Sequence, residues 1–339
     1  PAELEQVVAD YAPAYLLGRV DGEARVGAVV YPQRHFYLAS TLPHSVRRVA
    51  LGLLARRPPL RAALPFLGTP GLLAASHEAA EAHFPALFAA IRVHAARLGA
   101  PFWVIDNVLA QEHALMNGRG TLLWVPLDPE TDLALPHATF EAHLAALSRS
   151  RRRYVRRMCR HAESAGVTVR AGTLAQQPDL PRLEALQQTV SHHHGNAHPF
   201  SEGYLPRAGH LLREDNHLVL SAYQEGELIG AITLLHAGGV GVAKWPALDY
   251  PRTEPSHAYH LLVCEGVRHA IELGLSTLML GPTVYTLKRQ LGARLRDRYL
   301  GLAVRPALLQ WPLARGVEVA GRFRRQVETG DWRLESSDW

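Results

Sequence analysis

The chain has 339 residues, enough for two domains of ordinary size, and 47% of them are hydrophobic while 20% are charged. That balance is typical of a folded globular protein and excludes a largely disordered chain. The formal net charge of +5, with 19 histidines counted as neutral, suits an anionic carrier such as coenzyme A, an acyl carrier protein or tRNA. A basic surface without such a partner is the alternative.

The sequence predicts neither a membrane span nor a secretory leader. The longest uncharged apolar run, Leu228 to Ala243, contains several glycines and is too short to cross a bilayer. The N-terminus has no basic segment followed by an apolar one. The two cysteines, Cys159 and Cys264, make no disulfide framework. We therefore expect a cytoplasmic protein without stable membrane insertion.

Two stretches of the chain begin with the same predicted hairpin. Residues 13–31 and 217–234 each read as two apolar strands around an acid–glycine turn, at Asp21-Gly22 and at Glu225-Gly226. The sequence after each turn is also alike, because Val-Gly-Ala-Val in the first stretch corresponds to Ile-Gly-Ala-Ile in the second.

The elements that follow the two hairpins also match. Residues 84–99 and 259–274 each have apolar residues at helical spacing, end at a glycine and run into an apolar strand. A short helix, a turn with glycine and a closing strand come next in both, the closing strands being residues 120–127 and 297–304. We interpret this order as two copies of one α/β unit.

The first copy carries roughly 30 more residues than the second between its hairpin and the end of its helix. Most of them lie from His44 to Leu67, which we predict to be a basic amphipathic helix broken at Pro58-Pro59. It is either a lid, or a contact for an acidic carrier or membrane surface, or a helix that covers the first sheet. Between the copies, Leu127 to His137 reads as a polar connection, and Thr139 as a helix N-cap.

Several motifs of the second copy resemble a known family. A basic helix with the pattern Leu147-Ser-x-x-x-Arg-x-x-x-Arg-Arg precedes Gly166-Val-x-Val, and the copy ends with Gly281, Lys288 and Gly292-Ala293. This arrangement resembles the GNAT-like acyltransferases of the Fem and BioF2-like group, which includes peptidoglycan-type aminoacyltransferases. The resemblance implies a mixed α/β (α+β) fold with two tandem GNAT-like domains, each a twisted mixed sheet flanked by helices.

The resemblance also implies a domain plan and a reaction class. Residues 1–130 would be a degenerate N-terminal GNAT-like domain with the basic insert near 44–67, and 131–165 would be basic linking helices. Residues 166–310 would be the C-terminal domain with the active site, and 311–339 a tail helix. The implied reaction is acyl or aminoacyl transfer to an amine, by an acyltransferase of EC 2.3 type with a role in biosynthesis.

The donor stays open at this point. GNAT enzymes hold the pyrophosphate of acyl-coenzyme A on a Gln/Arg-x-x-Gly-x-Gly/Ala loop at a helix N-terminus, and the equivalent segment here, Trp245 to His257, lacks it. Three hypotheses follow: an N-acyltransferase that uses acyl-CoA or an acyl carrier protein, an aminoacyl-tRNA-dependent aminoacyltransferase, and a non-catalytic binding protein that keeps the GNAT fold. None of them predicts a tightly bound cofactor.

Candidate site residues follow from their positions in this layout. Acyl transfer needs a base for the amine and donors for the oxyanion, which spacing alone does not identify. The candidates for catalysis are Lys244, Asp249, Tyr285 and His193. Those for substrate binding are His192, His194, Asn196, His198, Tyr250, Thr283 and Lys288, and those for donor binding are Ser256, His257, His260 and Arg289. The candidates for contact with nucleic acid or a carrier are Arg152, Arg153, Arg156 and Arg157.

Each group of candidates has a structural alternative. Lys244 is a possible strand-end lysine in solvent, Asp249 a turn residue before Pro251, and the histidine run a solvated loop. Ser256 is the expected cap of the long helix that follows it. No metal site is predicted, because adjacent histidines point in different directions and no cysteine or carboxylate has ligand spacing with them.

Overall fold

A computed structural model describes residues 12–33, 56–64, 69–118, 122–193 and 202–304. The strands are, in chain order, β1 (Ala14–Val20), β2 (Glu23–Pro32), β3 (Leu60–Leu64), β4 (Thr69–Pro70), β5 (Leu72–Ala74), β6 (Phe102–Leu109), β7 (Leu123–Ala134), β8 (Thr168–Gly172), β9 (His217–Gln224), β10 (Glu227–Ala237), β11 (Val240–Leu248), β12 (Thr277–Met279) and β13 (Arg294–Val304).

The helices alternate with these strands. They are α1 (His77–Arg97), α2 (Ala110–Met116), α3 (Phe140–Ala146), α4 (Arg149–Ser164), α5 (Leu180–His193), α6 (Tyr204–Leu211), α7 (Tyr250–Ser256), α8 (Ala258–Glu272) and α9 (Tyr285–Gln290). Mixed α/β architecture is thereby confirmed. None of the helices in the described ranges is long and apolar enough to cross a membrane.

One compact unit is Glu130–Leu295. Its strands lie in the order β7, β12, β11, β10, β9, β8, where the β7 part is Asp132–Ala134. All neighbours are antiparallel except β11 and β12, which run parallel. Helix α8 packs against β9 and β10, and α5 packs against β10 and β11. The core is built from the apolar stripe of α8, where residues such as Val263, Cys264 and Val267 are buried.

The other compact unit comprises the described residues of 9–129 and 296–337. Its strands lie in the order β1, β2, β3, β6, β13, and β3 and β6 are the parallel pair. Helix α1 packs against β1 and β2, and it buries Phe84, Leu87, Phe88 and Ile91. Helices flank the sheet of each unit, as the two-copy interpretation expects.

Both predicted hairpins are present. Strands β1 and β2 pair around Asp21-Gly22, and β9 and β10 pair around Glu225-Gly226. All four turn residues have positive φ, between 51° and 83°, which is the conformation that a two-residue type I′ turn requires. The acid–glycine pair thus encodes the turn in both copies.

The closing strands pair differently from what the order of the two copies suggests. The strand that ends the first copy, β7, pairs through Asp132–Ala134 with β12 of the second copy. The strand that ends the second copy, β13, pairs with β6 of the first. Local pattern identifies a strand, whereas its partner depends on contacts that are distant in sequence. The boundaries of the units fall at 129/130 and 295/296.

Two local predictions are wrong. Residues 60–64, expected in a helix, form strand β3, because Leu60, Ala62 and Ala63 are buried against neighbouring strands. Residues 128–134, expected in a polar connection, continue strand β7, whose Leu133 is buried in the core. The rest of the predicted insert helix up to Ala55, its last residues 65–67 and the tail helix 311–339 lie outside the described residues.

Candidate functional site

The two parallel strands of the unit Glu130–Leu295 separate partway along their length. The ladder between β11 and β12 joins Val240–Val242 to Thr277–Met279. Strand β11 then continues to Leu248, while β12 ends and the chain enters the loop Gly281–Val284. We call this opening, bounded by residues 243–248 and 280–284, the β11–β12 fork.

A pocket of about 40 Å³ lies at this fork, and we call it the fork pocket. It is lined by Val190, Pro246, Leu248, Tyr250, Thr253, Tyr259, Thr283 and Val284. The wall is largely apolar, with two phenol and two threonine hydroxyl groups as its polar side-chain atoms. Such a cavity suits a small apolar group attached to a polar atom that needs a hydrogen bond.

The shape of β11 at the fork is fixed by helices α5 and α6. Trp245 has φ of 53°, in the left-handed region, so the strand bends directly after Lys244. Gln187 of α5 donates a hydrogen bond to the Trp245 carbonyl over 3.3 Å, and the buried Tyr204 hydroxyl of α6 donates to Gln187. Burial raises the pKa of Tyr204 well above its usual value, so the phenol stays a donor.

Glu184 fixes α6 in its place beside α5. Its carboxylate, which is 7% exposed, accepts hydrogen bonds from the backbone nitrogens of Gly203 and Leu205 at 2.9 and 2.8 Å. These are free N–H groups at the start of a helix, where a carboxylate also meets the favourable end of the dipole. The wall of the site behind β11 is therefore a connected set of buried polar groups.

His193, a candidate for catalysis, lies beside the fork pocket. It is exposed at the end of α5, and its ring stacks on Tyr250, with centroids 4.0 Å apart and planes at 19°. Burial, followed by the nearby Glu254 carboxylate, raises the pKa of Tyr250 to about 12. His192 is also exposed, while His194, Asn196 and His198 lie outside the described residues.

Asp249 and Lys244 are both on the β11 side of the fork. Asp249 is the N-cap residue of α7, and its carboxylate forms an ion pair of 2.8 Å with Arg182 of α5. Because the carboxylate oxygen is already bonded to the Arg182 guanidinium, this geometry favours a role in orientation over one as the base. Lys244 is half-buried on β11, opposite Thr233 of β10.

The loop Gly281–Val284 forms the other side of the fork. Gly281, Thr283 and Val284 have φ of 77°, 75° and 46°, so three of its four residues are left-handed. Thr283 and Val284 line the fork pocket, and Tyr285 begins α9 directly after them. Lys288, expected to bind substrate, is 1% exposed, and its ammonium donates to the carbonyls of Gly281 and Pro282.

The predicted donor-binding residues lie where α7 meets α8. Ser256 is not the cap of α8, which corrects the prediction: it ends α7, is buried, and donates its hydroxyl to the Arg252 carbonyl. The N-cap of α8 is His257, in the left-handed region. The segment Trp245 to His257, whose sequence lacks a glycine-rich loop, contains helix α7 instead. Arg289 is exposed on α9.

His257 and His260 form a cluster with α4. The His257 ring lies 4.8 Å from His161 and 5.0 Å from His260, and the Tyr154 hydroxyl is 3.4 Å from Nε2 of His260. Burial, with a smaller contribution from His257, lowers the pKa of His260 to about 4. His260 is therefore neutral at neutral pH and contributes no charge toward a phosphate.

The arginines of α4 divide into two sets. Arg149, Arg153, Arg156 and Arg160 are exposed and recur at the spacing of one helix face; we call them the arginine stripe. The stripe extends over about 16 Å along the helix. Among the described residues, no carboxylate forms an ion pair with these four.

Two further α4 arginines, Arg152 and Arg157, have side-chain contacts with other residues of the protein. Arg152 donates to the carbonyls of Ala145 and Leu147, and Arg157 lies over the Tyr154 ring at 5.8 Å. Of the four predicted contact residues, Arg153 and Arg156 thus belong to the stripe. No group of three or more His, Cys, Asp or Glu side chains suited to a metal ion occurs in the described ranges.

The structure brings His193, Tyr250 and Thr283 together at the fork pocket. The sequence reasoning missed the remaining lining residues, including Leu248, Tyr259 and Val284, and also Gln187 and Arg182, which hold the fork in shape. One compositional signal was present: of 36 lysines and arginines, only Lys244 and Lys288 are lysines, and both belong to this unit.

Comparisons with known proteins agree with this fold. Residues 149–289 match the family model described as an acetyltransferase (GNAT) domain. This part of the chain is a GNAT-type domain. The chain matches no curated protein sequence significantly.

Solved structures share the fold over nearly the whole chain. FemX matches with a TM-score of 0.58 and 12% identity, covering 92% of both chains. The C-terminal domain of a putative lysylphosphatidylglycerol synthetase from Agrobacterium fabrum matches with 0.56 and 13%, covering 92% of this chain and 89% of that one. A tandem GNAT protein from the clavulanic acid biosynthesis pathway matches with 0.53 and 13%, covering 87% and 83%. The Fem-like, tandem GNAT fold expected from the motifs is confirmed.

Proposed function

We propose that the chain is an N-acyltransferase that moves a short acyl group from a thioester, on coenzyme A or an acyl carrier protein, to an amine. The fork pocket carries this proposal. Its volume of about 40 Å³ has room for roughly three water-sized groups, which matches an acetyl or propionyl chain. Its apolar wall takes the alkyl part, and its hydroxyl groups can meet the carbonyl oxygen.

The fork also supplies a path for the donor. Beyond Val242 and Met279 the two strands no longer pair with each other, so an extended chain with amide groups can lie between them and form hydrogen bonds to strand backbone. A pantetheine arm has that character, and its thioester would then reach the pocket between Leu248 and Val284. Helix α7 takes the place of a glycine-rich loop, so recognition of the carrier would differ from that of a typical GNAT enzyme.

The reaction needs one proton taken from the amine and one given to the thiolate. The amine nitrogen attacks the thioester carbon, the carbon–sulfur bond breaks, and an amide and a thiol form. His193 accepts the amine proton in our proposal, since it is exposed beside the pocket and imidazole is the usual base at neutral pH. Tyr250 stays protonated and can donate to the developing oxyanion, while Tyr285 protonates the leaving thiolate.

The test is a thiol-release assay with acetyl-, propionyl-, butyryl- and hexanoyl-coenzyme A against a panel of amines, with the amide confirmed by mass. Release that depends on the amine and falls with chain length is expected. Leu248→Ala should shift the preference toward longer chains by about tenfold, because it enlarges the pocket. Leu273→Ala, an exposed position on the same unit, is the matched control. Absence of amine-dependent release with every donor would count against the proposal.

The arginine stripe favours a second candidate, an aminoacyl-tRNA-dependent aminoacyltransferase. Four exposed arginines that form no ion pair with a carboxylate of the described residues suit a row of phosphates. If tRNA binds there, replacing Arg153, Arg156 and Arg160 with Gln should lower the salt slope of binding by about 2 to 3. Arg92→Gln on α1 is the control. RNA binding that is absent at low salt would exclude this candidate, and ligand binding without any turnover would favour a non-catalytic binding protein.

A further inference from the structure

Lys288 is an unusual residue for the place that it occupies. It is 1% exposed. It is also one of only two lysines in the sequence, which otherwise uses arginine. A buried ammonium is costly and persists where hydrogen bonds compensate for lost hydration. The arrangement of its partners therefore indicates what the residue is for.

Both hydrogen bonds of the Lys288 ammonium go to the loop that precedes its own helix. Nζ lies 2.9 Å from the Gly281 carbonyl oxygen and 3.1 Å from that of Pro282. The Thr131 hydroxyl of β7 donates to the same Gly281 carbonyl, and the Leu280 nitrogen donates to the Thr131 carbonyl at 2.9 Å. Hydrogen bonds to the Gly281 carbonyl thus link the start of the loop both to α9 and to β7.

This loop has a backbone that needs such support. Thr283 and Val284 are left-handed, with φ of 75° and 46°, and both carry branched Cβ atoms that disfavour this region. Residues in such conformations keep them only where the surrounding structure determines the path of the chain. Because the same two residues line the fork pocket, the shape of the pocket depends on how firmly the loop is held.

We propose that Lys288 is a positioning residue, whose ammonium holds the carbonyls of Gly281 and Pro282 and thereby fixes the pocket wall formed by Thr283 and Val284. The inference about the loop stands on its own contacts, while its consequence for acyl choice rests on the proposed function. Lysine suits the role because three donors on one compact atom can meet two adjacent carbonyls, whereas the wide planar guanidinium of arginine cannot occupy the same point.

The first readout is hydrogen–deuterium exchange of the full chain, which requires no substrate. Lys288→Met keeps a similar volume but removes the hydrogen bonds, so exchange of the peptide that covers residues 280–287 should accelerate about tenfold. Gln290→Met, on the same helix, is the matched control and should leave exchange unchanged. Lys288→Arg should not restore protection. Unchanged exchange in Lys288→Met, or full restoration by Lys288→Arg, would overturn the proposal.

The second readout is the acyl preference in the thiol-release assay. Lys288→Met should raise KM for acetyl-coenzyme A and reduce its preference over hexanoyl-coenzyme A about tenfold, with a smaller change in kcat. If no donor is active with the wild type, the proposed function fails while the exchange experiment still decides the role of Lys288. If Lys288→Met does not fold, Thr131→Val, which removes the other bond to Gly281, should accelerate exchange in the same peptide, and no acceleration would overturn the proposal.

Discussion

In the part of the chain that the structure describes, each unit contains one pair of parallel strands, and the two pairs end differently. In the unit Glu130–Leu295, the ladder of β11 and β12 ends at Val242 and Met279, and the fork pocket follows. In the other unit, the ladder of β3 and β6 ends at Ala62 and Ile105. The next residues of β3 pair with β4, which contacts β6. An ion pair also joins Arg61 of β3 to Asp106 of β6.

The short helices after the two strands show the same contrast. His113 is the fourth residue of α2, and Lys288 is the fourth residue of α9. His113 stacks on Tyr299 at 4.2 Å and meets the edge of Trp124 at 4.7 Å. Lys288 instead holds the loop beside the fork pocket. His113 packs α2 against strand residues, whereas Lys288 bonds the loop that lines the fork pocket. This difference supports placing the proposed reaction in the unit Glu130–Leu295.

The largest expected effect separates the two units by activity. His193→Gln should lower kcat/KM in the thiol-release assay by about 10² to 10⁴, the usual range for loss of a general base. His113→Gln, in the other unit, should leave kcat/KM of the folded enzyme within about twofold. The two variants are compared at saturating amine over pH 6–9. Equal losses in both, or a loss below about threefold for His193→Gln, would contradict the assignment.

The second prediction concerns the ion pair at the end of the β3–β6 ladder. Asp106→Leu leaves the Arg61 guanidinium in a largely buried place without its partner, and should lower the free energy of unfolding by about 3 kcal/mol. Urea denaturation measures this loss. The double variant Arg61→Met with Asp106→Leu should recover most of it, because apolar groups can replace a buried pair. Activity below the unfolding transition should not change.

Local sequence signals predicted many elements of both units, although not strand β3, and they did not predict how the strands pair. The acid–glycine turns at residues 21–22 and 225–226 and the glycine-terminated helices were found as expected, since their causes are local. The exchange of the closing strands β7 and β13 was not predictable, because strand partners depend on packing between residues far apart in sequence. Similarly, Ser256 looked like a cap, but α7 ends there and uses its hydroxyl.

The site was predicted by residue type only in part. Tyr250 and Thr283, predicted from positions near expected strand ends, line the fork pocket. His193, predicted from a histidine run between two helices, stacks on Tyr250. Leu248 and Val284 carry no such signal, because an apolar residue that lines a pocket looks like any core residue in sequence. Lysine occurs only at positions 244 and 288 of the sequence, but this scarcity does not show that Lys288 is buried.

The third prediction uses pH to distinguish the units. Burial lowers the pKa of Lys288 from its ordinary 10.5 to about 7, and Glu130 partly opposes the shift. The unfolded chain therefore binds more protons between about pH 7 and 10.5, so stability rises with pH there and is lowest below pH 7. Relative to Lys288→Met, the wild type should gain about 2 kcal/mol from pH 7 to pH 9 in urea denaturation.

A matched control for this prediction lies in the other unit. Burial raises the pKa of Glu112, whose carboxylate accepts a hydrogen bond from the Leu109 nitrogen at 2.8 Å. Glu112→Gln should show the same change from pH 7 to pH 9 as the wild type. A wild type and Lys288→Met with parallel pH dependence would show that Lys288 does not titrate there.

The smallest expected effect compares helix caps. Ser76 caps α1 and Thr139 caps α3, each accepting a hydrogen bond from a first-turn nitrogen at 3.1 Å. Ser76→Ala and Thr139→Ala should each lower the free energy of unfolding by about 1 kcal/mol, because the two bonds have the same length. Hydrogen exchange should locate the first loss in α1 and the second in α3. Since neither cap residue lines the fork pocket, acyl preference should stay constant in both variants. A shift in acyl preference caused by Ser76→Ala would mean that the unit containing α1 takes part in substrate choice.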